Sequence, residues 1–98
     1  MAQVVYSENA LANLERCIGF LAEHDPQAAV GAASAICEAV DTLSNHPLIG
    51  RTVADELREL VISYGKTGYI ALYRFLPVLD QVRVLAIRHQ RELDYPIE

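Results

Sequence analysis

Six side chains in the last quarter of this 98-residue chain are of the types that phosphodiester chemistry uses: Arg74, Arg83, Arg88, His89, Arg91 and Tyr95. Attack of a ribose 2′-hydroxyl on its own phosphate needs one group to take a proton, another to return it, and cations to hold the phosphate as charge builds. An imidazole titrates near neutrality, a phenol can act as acid or orienting group, and a guanidinium grips phosphate through two parallel bonds. On residue type alone, His89, Arg91, Tyr95 and Arg74 would make a nuclease site. The plain alternative for Arg88-His89-Gln90-Arg91 is a solvated strand end, with Arg58, Arg74, Arg83 and Arg88 meeting a protein partner.

Other chemistries find less to work with. Cys17 and Cys37 fall in predicted helices and read as reduced, small apolar residues. Neither has Cys or His neighbours at ligand spacing, so no metal and no cofactor is expected. His24 and His46 close predicted helices, where imidazole complements the helix dipole. The net charge is −5 and unevenly placed: residues 1–56 hold eight acidic and two basic side chains, residues 57–98 five and six. Such a chain is a poor non-specific nucleic-acid binder, and with Lys66 its sole lysine, any polyanion contact would rest on arginine. Acidic and basic residues interrupt every apolar run, so no membrane span is expected. The opening MAQVVYSENA lacks the basic-then-apolar plan of a signal peptide, which predicts a cytoplasmic protein.

The elements that must carry these residues are legible as periodicity. Leu57–Tyr64, Tyr69–Phe75 and Gln81–His89 are rich in Val, Ile, Leu and Tyr and predict three antiparallel strands, the first two joined through Gly65-Lys66-Thr67-Gly68. Pairing Tyr64 with Tyr69 and Leu76 with Gln81 would put Leu60, Ile62, Tyr64, Tyr69, Ala71, Tyr73, Phe75, Val82, Val84 and Ala86 on one face. Val61, Ile70, Leu72, Leu85 and Ile87 would take the other, with Glu59, Arg74 and Arg83 in one row. That row reads either as a partner surface or as ordinary cross-strand charge pairing.

Before the sheet, Gln3–Tyr6 predicts an edge strand, and Ser7 caps a helix ending near His24. Its buried side would be Leu11, Leu14, Cys17, Ile18 and Leu21, with Asn13, Glu15, Arg16 and Glu23 facing away. Asp25-Pro26 starts a second helix with Ala29, Ala33, Ile36, Val40 and Leu43 inward. Gly31 there marks close packing rather than a break. Pro47–Arg51 predicts a loop, Thr52–Glu56 a lead into the sheet, and Gln90–Glu98 a polar tail. The fold class is α+β, β-α-α-β-β-β, a helical hairpin on a small, mainly antiparallel sheet, with residues 1–98 as one domain.

Certain stretches carry a family resemblance. They are Asp25-Pro26 with Ala28-Ala29, Leu43-Ser44-Asn45-His46-Pro47, Gly50-Arg51, Leu57-Arg58-Glu59-Leu60, Gly68-Tyr69, Leu72-Tyr73-Arg74, and Val84–His89 followed by Arg91. In order and content they resemble the RelE/ParE superfamily of bacterial type II toxins. The resemblance implies a toxin neutralised by a cognate antitoxin of ParD or RelB type. RelE-like members cleave messenger RNA on the ribosome, whereas ParE-like members act against DNA gyrase. The RelE-like pattern also places lysines in the loop before the sheet and at its first strand, where this chain has Arg51, Asp55 and Glu56. Its arginine after the Gly-Tyr pair is Ile70 here. The expectation is therefore a ParE-like toxin that works by binding, with DNA gyrase as target. The alternatives are a ribosome-dependent endoribonuclease using His89, Arg91, Tyr95 and Arg74, and a non-toxic antitoxin-binding module.

Overall fold

The computed structural model describes residues 1–96; the last two residues of the predicted tail lie outside that range. A short strand β1 (Gln3–Tyr6) leads into helices α1 (Glu8–His24) and α2 (Pro26–Asp41). Four strands follow: β2 (Arg51–Ala54), β3 (Leu57–Tyr64), β4 (Thr67–Leu76) and β5 (Gln81–His89). Both helices begin as their caps dictate. The Ser7 hydroxyl accepts from Ala10 N–H at 3.0 Å and the Asp25 carboxylate from Ala28 N–H at 3.1 Å, with Pro26 in the first turn of α2. A Cβ at Gly31 would fall on the Tyr64 hydroxyl, so the bare glycine lets α2 close on the sheet.

The sheet runs β1-β5-β4-β3-β2, antiparallel except for β1, which lies parallel to β5. Strand β2 occupies residues expected to be loop and lead-in. All four of its residues are exposed, so no buried–exposed alternation marks it in the sequence. The β3–β4 turn is only Gly65-Lys66, with Gly65 at φ +58°, and Tyr64 pairs with Thr67 rather than Tyr69. This slip of two residues keeps every side chain on its expected face but changes the rows. Leu57, not Glu59, stands opposite Arg74, and Glu59 stands opposite Leu72 and Arg51.

The β4–β5 pairing starts at Leu76–Gln81 as expected, then bulges: Tyr73 pairs with Val84, but Leu72 pairs with Ala86. The extra residue, Leu85, reverses the faces beyond it. Ile87 therefore joins the core, fully buried, while Ala86 turns to the face away from the helices; the expected assignment was the opposite.

The bulge is held by α1. The Leu85 carbonyl accepts from the Ser7 hydroxyl and the Asn9 amide, both at 3.1 Å, and Ile87 N–H donates to Asn13 Oδ1 at 2.9 Å. Asn13, expected to face solvent, is fully buried, and Leu11, expected inside, is 47% exposed. Periodicity ranks an asparagine as an outward residue; the lone strand N–H decides otherwise. Ala32, rather than Ala33, lies on the buried side of α2. The core between the layers is built on Ile36, Val40, Leu43, Tyr73, Val82, Val84 and Ile87. Asn13→Ala, which strands the Ile87 N–H, should lower the unfolding free energy in urea by about 1–3 kcal/mol. Glu15→Ala on the exposed side of the same helix should stay within about 0.5 kcal/mol of the parent.

Candidate functional site

The bulge decides where the late residues point. His89 is the register partner of Tyr69, so it faces the helices, and its ring packs edge-on to Tyr69 at 5.4 Å. Both ring nitrogens are engaged. Nδ1 accepts from Arg91 N–H at 3.1 Å, which leaves the proton on Nε2, in a short hydrogen bond to Thr67 Oγ1. A groove of about 610 Å³ opens here, lined by Cys17, Phe20, Lys66, Tyr69, His89 and Arg91 among others.

Tyr95 lies on the opposite face. The tail turns back after β5: Glu92 accepts from His89 N–H at 3.0 Å and pairs with Arg16 at 3.0 Å, and Arg88 donates to the Glu92 carbonyl at 2.6 Å. Tyr95 then lies with its ring centroid 5.1 Å from the Arg88 guanidinium and its hydroxyl donating to Glu59 Oε2 at 2.6 Å. The other Glu59 oxygen takes Arg51 at 2.7 Å. Burial opposes ionisation of Glu59, but the bonds from Tyr95 and Arg51 outweigh it and hold the carboxyl below its ordinary value. Burial, then the Glu59 bond and charge, push the Tyr95 phenol well above the tyrosine range, against a smaller pull from Arg88.

The nuclease candidates therefore split. His89 and Arg91 share the groove with Lys66, while Tyr95 and Arg74 lie on the outer face. Arg74 is also five positions along β4 from the His89 row, roughly 17 Å away. The candidate binding arginines split as well. Arg74, Arg83 and Arg88 lie on the outer face. Arg58 lies on the helix side and donates to the carbonyls of Leu48 and Gly50, at 3.1 and 2.9 Å. The Tyr73 hydroxyl fixes the same loop, accepting from Gly50 N–H at 2.9 Å and donating to the Pro47 carbonyl at 2.8 Å.

Sequence reasoning missed Thr67, Lys66 and Glu92 as neighbours of His89, and Glu59 as the partner of Tyr95. Only Glu92, three residues past the strand-ending His89, left a local signal. Cys17 is buried as expected of a small apolar residue, whereas Cys37 is exposed. Among the described residues, no group of three or more His, Cys, Asp or Glu could hold a metal, and no helix is long and apolar enough to cross a membrane.

A family model described as the ParE toxin of the type II toxin–antitoxin system parDE matches residues 4–94. The chain belongs to this family. Three curated relatives from Caulobacter vibrioides agree along nearly their whole length. Toxin RelE1 is 35% identical over 89 residues, covering 91% of this chain and 94% of its own. Toxin RelE3 is 33% identical over 92 residues, covering 94% and 98%, and Toxin RelE2 is 34% identical over 93, covering 95% and 100%. The match thus takes in both helices, the sheet and most of the tail. The protein is a type II toxin of the RelE/ParE superfamily, and its partner is a cognate antitoxin.

The acid response of the toxin follows from Glu59 and Glu92. Burial opposes ionisation of Glu92 too, but the His89 N–H and Arg16 bonds outweigh it and lower its pKa. A carboxyl with a lowered folded pKa contributes stability that is full above its ordinary value of 4.5 and lost as pH falls through the folded value. The toxin should therefore lose unfolding free energy as pH drops below 4.5, and Glu59→Gln should make that loss shallower in urea titrations at several pH values.

Proposed function

We propose that this toxin arrests growth in the cytoplasm by binding DNA gyrase, in the manner of ParE, and that it does not cut RNA. The observation that carries the reading is the separation of the groups that RNA cleavage would bring together. His89 has both ring nitrogens occupied on the helix face, and the Tyr95 hydroxyl is committed to Glu59 on the outer face. Concerted proton transfer at one phosphate needs an acid and a base within hydrogen-bond reach of the same substrate atoms. A surface that works by binding needs no such convergence. The family match to ParE toxins supports the same reading. A ParD- or RelB-like antitoxin would neutralise the toxin by covering that surface.

A second reading, a ribosome-dependent endoribonuclease, draws on the RelE names of the relatives and on Lys66, His89 and Arg91 lining one groove. Purified toxin assayed in parallel separates the two. Supercoiling by gyrase should fall with toxin dose while ribosome-bound message stays intact. Codon-placed cuts that disappear in His89→Ala or Tyr95→Ala would overturn the gyrase reading in favour of the nuclease.

A further inference from the structure

Among the described residues, the lower half of the outer face presents a pair of like charges with a single, exposed acidic partner between them. Arg74 on β4 and Arg83 on β5 are direct register partners, flanked in the same row by Leu57 on β3 and Val5 on β1. The acid that the sequence pattern would place beside them, Glu59, is displaced to the next row and bound to Arg51 and Tyr95. Arg74 makes one ion pair, a long 3.4 Å hydrogen bond to Glu56, whose side chain is 76% exposed, and its Nε is buried without a hydrogen bond. Arg83 donates to Gln81 at 2.6 Å and makes no ion pair among the described residues. Like charges directly opposite across a sheet are destabilising. In a chain of net charge −5 the local excess is positive.

We propose that Arg74 and Arg83 form a carboxylate clamp that receives an acidic segment of the antitoxin, with Leu57 and Val5 contacting apolar residues beside its acidic side chains. Two arginines on paired strand positions suit a carboxylate, and a ligand carboxylate there offsets their like charge. The charge balance favours a protein segment over nucleic acid. Two cations in the row match the one or two carboxylates of a short acidic segment, whereas a phosphate backbone carries a charge at every nucleotide and needs a longer run of cations than this end of the sheet offers. The proposal rests on the toxin–antitoxin relationship and not on the choice of gyrase as target.

Binding of the intact toxin to the antitoxin encoded beside it, measured by calorimetry across a salt series, tests the clamp. Arg83→Gln should weaken binding by about tenfold and flatten its salt dependence, while the melting temperature of the free toxin stays level or rises. Arg83→Lys should restore the salt dependence but only part of the affinity. Unchanged affinity in the Arg74→Gln/Arg83→Gln double variant would overturn the clamp and leave the toxin's membership of its family intact. So would antitoxin binding that persists while binding to labelled single-stranded RNA is lost, which would assign the pair to nucleic acid. A lower melting temperature in Arg83→Gln would make the pair structural and also overturn it. A parent protein that neither binds the antitoxin nor arrests growth would remove the reading on which the clamp stands.

Discussion

The free edge of β5 sets the constraint that the rest of the molecule obeys. A buried strand must satisfy its backbone groups on both sides, and β1 reaches only from Gln81 to Val84. Beyond that point the cap of α1 and two side chains from its first two turns take over: Ser7 and Asn9 at the Leu85 carbonyl, Asn13 at the Ile87 N–H. A helix thereby does the work of a missing strand. Because the polar groups stand at fixed heights along α1, they fix the bulge, and the bulge fixes which way Ala86, Ile87, Arg88 and His89 point.

From that reversal come two differently finished surfaces. On the helix side, His89 is held by Thr67 and the backbone of Arg91, within a groove that shares apolar and cationic residues. On the outer side, the returning tail lays Tyr95 between Arg88 and Glu59, and Arg51 completes an alternation of positive, aromatic, negative and positive groups. Each charge in that upper half has a counterpart. Among the described residues the lower half is less completely paired: Arg74 is half-buried with Glu56 as its one acidic partner, and Arg83 is exposed and bonds only to Gln81. The sheet thus separates His89, with Glu92, Lys66 and Arg91 in the groove, from Tyr95, Glu59 and Arg88 on the outer face.

Much of the scaffold was legible in the sequence. Ser7 and Asp25-Pro26 mark the helix starts because capping chemistry is local, and β3 and β5 match their predicted ends because dense β-branched runs leave little choice. What escaped was set by contacts distant in sequence. The bulge at Leu85 depends on α1, more than seventy residues earlier. The burial of Asn13 depends on one strand N–H, and the two-residue slip of the first hairpin depends on Gly65 taking a left-handed conformation that lets the turn close early. The position of Tyr95 depends on a tail with no periodicity at all. The candidate site is built almost wholly from the second kind of contact, which is why its residue types could be recognised and its geometry could not.

The parallel pairing of β1 with β5 joins Gln3 to Gln81, almost eighty positions apart in the sequence. During synthesis the first strand and α1 emerge long before the strand that completes them, and a contact so remote in sequence forms only after the intervening chain has been released. A ribosome that stalls or terminates early therefore yields a fragment with no central strand for β1 and β4 to join. Both faces of the sheet are thereby withheld until β5 has been made.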